Sequence, residues 1–208
     1  MASRPQSLGE EIGNAVTHGV GALFGIAALV LLMIKSDSTI EYVACAIFSL
    51  SIILLYTMSC LYHSFKNDTK VKRIFRIFDH LSIFLLIGGT YAPVLLLGCN
   101  NTKGLIIFTI QWTLIAIGTV LRFILKGKKM MVVHTIISVI VGWIGLLIMP
   151  DIYSVSIPFF YLILGGGIAY TLGLFFFCYH FKYSHFIWHF FVIFGTVLHF
   201  IAIYLYLL

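Results

Sequence analysis

Long uninterrupted apolar runs, separated by short polar stretches, fill almost the whole chain. Seven stand out: about Ala15–Ile34, Ile40–Phe65, Ile77–Leu97, Leu105–Leu125, Met130–Met149, Pro158–Cys178 and Ser184–Leu207. Each matches the roughly 20 residues that carry a helix across a bilayer. The runs are continuous rather than alternating, which argues against a transmembrane β-barrel. The pattern predicts an all-α integral membrane bundle of seven transmembrane helices, forming a single domain over residues 1–208. The connections are short, so consecutive helices are expected to pack antiparallel. The first run is too long for a signal-peptide core and lacks a convincing small-residue cleavage site, so it is read as a span. Gly88-Gly89 and Pro93 interrupt the third run, and Gly165-Gly166-Gly167 the sixth. Close helix packing or a local kink is the ordinary reason for such residues in membrane helices. A cavity lined by loosened backbone is the other.

Composition sharpens this picture. The chain has 208 residues, of which 61% are hydrophobic and 10% charged, with a mean hydropathy of +1.08. A water-soluble globule, a disordered chain and a disulfide scaffold are all excluded. The four cysteines, Cys45, Cys60, Cys99 and Cys178, show no CxxC spacing, so neither a disulfide nor a cysteine zinc site is implied. The formal net charge is +6. In a membrane protein that reads as basic loops facing anionic lipid rather than as nucleic-acid binding, and no nucleic-acid partner is expected.

The basic residues also give an orientation. With seven spans, the N-terminus and the second, fourth and sixth connections share one side. That side carries Arg4, Lys66, Lys70, Lys72, Arg73, Arg76, Arg122, Lys126, Lys128, Lys129 and Lys182, against only Lys35 and Lys103 opposite. The positive-inside rule then predicts a cytoplasmic N-terminus and an external C-terminus.

The polar residues that lipid does not explain are mostly histidines. There are eight, and seven of them (His18, His63, His80, His134, His180, His185 and His189) fall near the predicted cytoplasmic face. His199 lies deeper. A lone histidine at such a depth is ordinarily interfacial, and His134 and His180 are read that way. His185 and His189 differ: an i,i+4 pair puts two imidazoles on one helix face, at metal-ligand spacing. His63 lies at the same depth, with Ser59 one turn before it. Asp79 is the one acid read as inside or at the edge of a span on this side, with Glu10 and Glu11 placed before the first span. An acid entering a membrane helix needs a partner. Either Arg73 or Arg76 pairs with it, or it stands beside a metal. Three neutral histidines with an open position make a catalytic type of zinc site, although ligand type alone admits iron or another transition metal.

These residues fall into three ordered motifs. Glu11-Ile-Gly-Asn14-Ala-Val-Thr17-His18 comes first. Ser59-Cys-Leu-Tyr62-His63 follows, with Asp79-His80 and Gly89-Thr-Tyr91-Ala-Pro93 after it. Ser184-His185-Phe-Ile-Trp-His189 closes the set, with His199 ten residues on. In this the chain resembles the hemolysin III family, the bacterial branch of the progestin and adipoQ receptor superfamily, from Glu11 to His199. The resemblance implies seven helices with a cytoplasmic N-terminus and residence in the bacterial cell membrane. It also implies a zinc ion near the cytoplasmic face, held by His63, His185 and His189, with Ser59 and Asp79 beside it. The stretch from His63 to Asp79 is slightly shorter than in the adiponectin receptors. Their long cytoplasmic N-terminal region is also missing, so hormone-linked signalling is not expected.

The function expected on these grounds is zinc-dependent hydrolysis of a membrane lipid, an amide or an ester, in the manner of the ceramidase-like sites of related proteins. Asp79 would orient or deprotonate the water, and Ser59 would support it. Two other classes stay open. The family name suggests a cytolysin, which would act as a homo-oligomer, yet no span shows a polar stripe to line a channel. A receptor-like or membrane-homeostasis protein with structural zinc is the other, favoured if Asp79 is itself a fourth ligand.

Overall fold

The computed structural model describes residues 6–208, so Arg4 of the basic count lies outside the described residues. The helices are α1 (Leu8–Lys35), α2 (Thr39–Ser64), α3 (Lys70–Pro93), α4 (Thr102–Ile124), α5 (Gly127–Gly142), α6 (Met149–Val155), α7 (Ile157–Cys178) and α8 (Ser184–Tyr206). A π-helical turn, Val94–Gly98, extends α3, and a 3₁₀ turn, Ile144–Ile148, joins α5 to α6. Counted as membrane crossings these make seven helices long and apolar enough to span, with Lys70–Gly98 and Gly127–Val155 each forming one. The expected number of spans is met.

Polar residues set most helix starts. Ser7 and Glu10 form a capping box at α1, and Ser38 and Glu41 another at α2, each pair satisfying two backbone N–H groups that the helix leaves open. Thr69, Asn101 and Ser156 cap α3, α4 and α7. The capping box explains one departure from the hydropathy pattern. Helix α1 starts at Leu8, not near Ala15, because Ser7 and Glu10 nucleate it and its early polar side chains turn inward. Glu10, Glu11, Asn14, Thr17 and His18 are all buried. Helix α3 likewise starts at Lys70 rather than Ile77, capped by Thr69.

The fifth span was expected to run unbroken from Met130 to Met149. It breaks at Trp143 instead. The hydroxyl of Tyr91 enters the ladder there, donating to the Gly142 carbonyl at 2.7 Å and accepting from Gly145 N–H at 3.1 Å. A side chain inserted in this way bends a helix, and Gly145 leaves the room that the tyrosine fills. The other interrupting glycines serve close packing. Gly88 faces Trp112 and Ile115, Gly89 faces Ser51, and Gly166 faces the His199 ring.

Helix α1 packs on α2 and α8, α2 on α3, and α7 on α8, while α4 joins α3 to α5. The second and third spans are the inner ones, with 50% and 56% of their apolar windows buried, against 28% and 22% for the fourth and fifth. The peripheral helices present residues such as Ile117, Val120, Ile136 and Leu172 outward, where a bilayer replaces water. Helices α5 and α7 face each other across an internal cavity and are bridged by the indole N–H of Trp143, which donates to Thr171 Oγ1 at 3.1 Å.

Candidate metal centre

Helix α2 delivers Ser59 and His63 one turn apart at the end of the bundle where α3 begins. Helix α8 delivers His185 and His189, also one turn apart. Packing of α1 and α3 around them supplies Glu11, Thr17, His18 and Asp79. One ligand atom from each of His63, His185 and His189 lies within 4.8 Å of the others. The ring centroids stand 4.8–5.2 Å apart. His63 and His189 are almost fully buried, at 3% and 1% exposure, and His185 is half-buried. This cluster can hold a metal ion.

The outer contacts of the rings prepare them for that role. His63 donates from Nδ1 to Glu11 Oε2 at 2.8 Å, since a carboxylate can only accept. Glu11 in turn pairs through Oε1 with Lys72 Nζ at 2.7 Å, and Lys72 also donates to the Phe65 carbonyl. His189 Nδ1 lies 3.1 Å from Thr17 Oγ1. The Thr17 hydroxyl proton is directed at the Gly13 and Asn14 carbonyls, so the hydroxyl oxygen accepts from His189. Both rings are thereby held in the tautomer whose Nε2 carries the lone pair. Nε2 of His63 is buried and has no hydrogen-bond partner among the described residues. An orphaned imidazole nitrogen aimed at two other imidazoles fits a transition metal, for which such outer partners fix ring orientation and raise ligand basicity.

Asp79 and Ser59, expected beside the metal, do not belong to the three-ligand group. Both are buried and line the same cavity. The Ser59 hydroxyl stands near the Asp79 carboxyl group, which also faces His63. No ion pair joins Asp79 to Arg73 or Arg76 among the described residues, and Arg73 reaches back to the Asp68 carbonyl instead. The three-ligand group contains no carboxylate.

Sequence reasoning missed four parts of the centre. Glu11, taken to precede the first span, is inside α1 and holds His63. Lys72, counted as a loop charge, is buried against Glu11. Thr17 orients His189. His18 stacks face to face on His189, with centroids 3.5 Å apart and planes 5° from parallel. The signal was present: Glu11, Asn14 and His18 recur at helical spacing on one face. His134 also departs from expectation. It is buried rather than interfacial, donating from Nε2 to the His80 carbonyl at 2.9 Å and packing on Phe84. His180 is exposed. His199 donates to the Ile163 carbonyl, away from the cluster.

From the histidine cluster a cavity of about 1510 Å³ runs between α3, α5, α7 and α8 past Leu86 and Tyr170 to Ile163 and His199. Its wall is mainly apolar by area, although polar side chains line it in about equal number.

Over residues 6–200 the sequence matches the family described as haemolysin-III related. The chain belongs to that family. Hemolysin-3 of Bacillus cereus is 37% identical over 213 aligned positions, covering 100% of this chain and 96% of the relative. The Hemolysin-3 homolog of Bacillus subtilis (strain 168) is also 37% identical, over 95% of this chain and 94% of its own length. The human Monocyte to macrophage differentiation factor is 27% identical over 95% of this chain and 84% of its own. This haemolysin-III-related chain is thus a multi-pass membrane protein similar over at least 95% of its length to bacterial and animal relatives.

The outer contact to His63 is open to direct test. Glu11→Gln removes the carboxylate that holds the His63 ring and leaves Lys72 without its counter-ion. Metal affinity should fall about 10- to 100-fold, as is usual when such an outer partner is lost. Competition against a chelator of known affinity measures it, and unchanged affinity would show that Glu11 serves packing alone.

Proposed function

We propose that this chain is a zinc-dependent hydrolase of a membrane lipid amide or ester, working near the cytoplasmic face. The observation that carries this reading is a three-imidazole cluster that includes no carboxylate, with Asp79 beside it at the end of a lipid-sized apolar cavity. Structural zinc sites are closed by four protein ligands, whereas catalytic ones keep a position for water or substrate.

In this reading His63, His185 and His189 hold the ion. Bound zinc supplies Lewis acidity, which makes water a competent nucleophile near neutral pH and polarises a carbonyl oxygen. Asp79 accepts the proton of the attacking water and returns it to the leaving nitrogen or oxygen. Ser59 steadies the carboxyl group from beside it. Glu11 and Thr17 keep the two imidazoles aimed. The gap between α5 and α7 admits acyl chains from the bilayer, and the apolar cavity keeps bulk water from them.

The test incubates the zinc-loaded, detergent-purified protein with mixed lipid amides and esters, following released fatty acid and bound metal together. Turnover that a chelator abolishes and zinc restores is expected. A zinc-loaded protein with no turnover on any of these lipids overturns the hydrolase reading and leaves a structural metal.

The orientation belongs to the same proposal. The α2–α3, α4–α5 and α7–α8 connections share one end of an antiparallel bundle and, together with the helix turns beside them, carry most of the basic residues. At the other end Lys103 pairs with Asp151 at 2.6 Å and Lys35 caps the Tyr204 carbonyl. Reporter fusions after Leu208 and between Lys66 and Thr69 should therefore report opposite sides of the membrane. Same-side signals would contradict it.

A further inference from the structure

Two arginines stand at the cavity wall without an ion-pair partner among the described residues, Arg76 exposed and Arg122 half-buried. Arg76 comes from α3 and Arg122 from the last turn of α4, and both line the cavity. Phe84 of α3 packs against Gly118 of α4, which brings the start of α3 and the end of α4, and so both arginines, to the same end of the bundle as Asp79 and His185. Neither forms an ion pair or a side-chain hydrogen bond among the described residues, and Nε of Arg122 is buried without a partner. Most neighbouring cations differ, although Lys128 also lines the cavity and is exposed. Lys72 is paired with Glu11, and Arg73 is held by the Asp68 carbonyl. Lys66, Lys126, Lys129 and Lys182 lie outside the cavity and are exposed, as an anionic membrane surface requires.

Like charges at one end of a cavity repel each other, and an anion bound between them relieves that repulsion. Guanidinium groups are the side chains suited to that anion when it is a phosphate, because their planar forks match its oxygens in pairs. We propose that Arg76 and Arg122 form a phosphate clamp, so that the ligand of this cavity carries a phosphate group next to the histidine cluster and its acyl chains along the apolar depth. This rests on the lipid-hydrolase reading for its catalytic meaning and narrows the substrate class to phosphate-bearing lipids.

Binding, not turnover, tests it. The purified protein in detergent is titrated with phosphatidylglycerol, with diacylglycerol of the same chains, and with inorganic phosphate. Retained lipid is counted by native mass spectrometry. Phosphatidylglycerol should bind at least about tenfold more tightly than diacylglycerol, the scale of hydrogen bonds to a charged group. Arg76→Gln/Arg122→Gln should abolish that preference, and Arg122→Gln alone should reduce it. Lys126→Gln/Lys129→Gln removes the same formal charge and should leave the preference intact. Displacement of the lipid by inorganic phosphate, in the parent but not the double arginine variant, would support the clamp with the free anion as ligand. Failure of inorganic phosphate to compete would support the clamp with the intact lipid as ligand. Equal loss in the arginine and lysine variants, or no preference in the parent, overturns the proposal. Metal content reports that each variant is folded. A parent that binds phosphatidylglycerol selectively but hydrolyses nothing would sink the hydrolase reading and keep the clamp. Turnover without selectivity would do the reverse.

Discussion

Replacing His185 and His189 together by alanine should strip the protein of its metal. The parent is expected to carry about one zinc per chain, held by three imidazoles. Two of the three sit one turn apart on α8, so the double variant leaves His63 alone, and a single neutral imidazole does not retain zinc through purification. The rings also pack. His189 stacks on His18 and bonds Thr17, so the double variant loses buried contacts along with the ion, and metal binding is itself coupled to folding. His134→Ala separates the two effects. It removes a buried histidine and its bond to the His80 carbonyl, yet should keep full zinc. Elemental analysis alongside a thermal unfolding curve makes the comparison. Full zinc in the double variant would remove the cluster from consideration as a metal centre.

Asp79→Asn is the second large effect. The amide has nearly the size of the carboxylate and can keep the contact with Ser59, but it cannot take a proton from water. If Asp79 is the general base, lipid hydrolysis should fall about 10²–10⁴-fold while bound zinc stays unchanged. If the carboxylate instead ligates the ion, the same change should lower zinc content. Ser59→Ala should cost much less, since it removes only the hydroxyl beside Asp79. Rates and metal content measured on the same samples distinguish these outcomes. An Asp79→Asn variant with parental activity and parental zinc would exclude the residue from both roles.

The seven spans could be seen in the sequence because a bilayer imposes one length on every crossing. The residues His63, His185, His189, Ser59 and Asp79 could be gathered because two pairs repeat at one helical turn and all five fall at one depth. What escaped notice was polar structure inside helices. A hydropathy profile starts α1 near Ala15 because Glu10, Glu11 and Asn14 look like a loop. Only their burial against His63, Lys72 and His189 makes them helical core. The same blindness made Lys72 a surface charge and His134 an interfacial one. The break at Trp143 was invisible for a different reason. It depends on Tyr91, 52 positions earlier in the chain, reaching a backbone that is apolar throughout.

The centre is assembled from opposite ends of the polypeptide: Glu11, Thr17, His63 and Asp79 come from the first three helices, His185 and His189 from the last. A chain emerging from the ribosome completes its N-terminal part first. When α3 has entered the membrane, His63 already has its carboxylate partner but is the only imidazole of the three present. Four more helices must be inserted before the others arrive. A nascent chain therefore cannot capture the ion early, and a product stalled or cut before α8 cannot capture it at all. Where the cluster holds an ion as proposed, metal content becomes a record of completed biogenesis, by which finished molecules can be told from fragments.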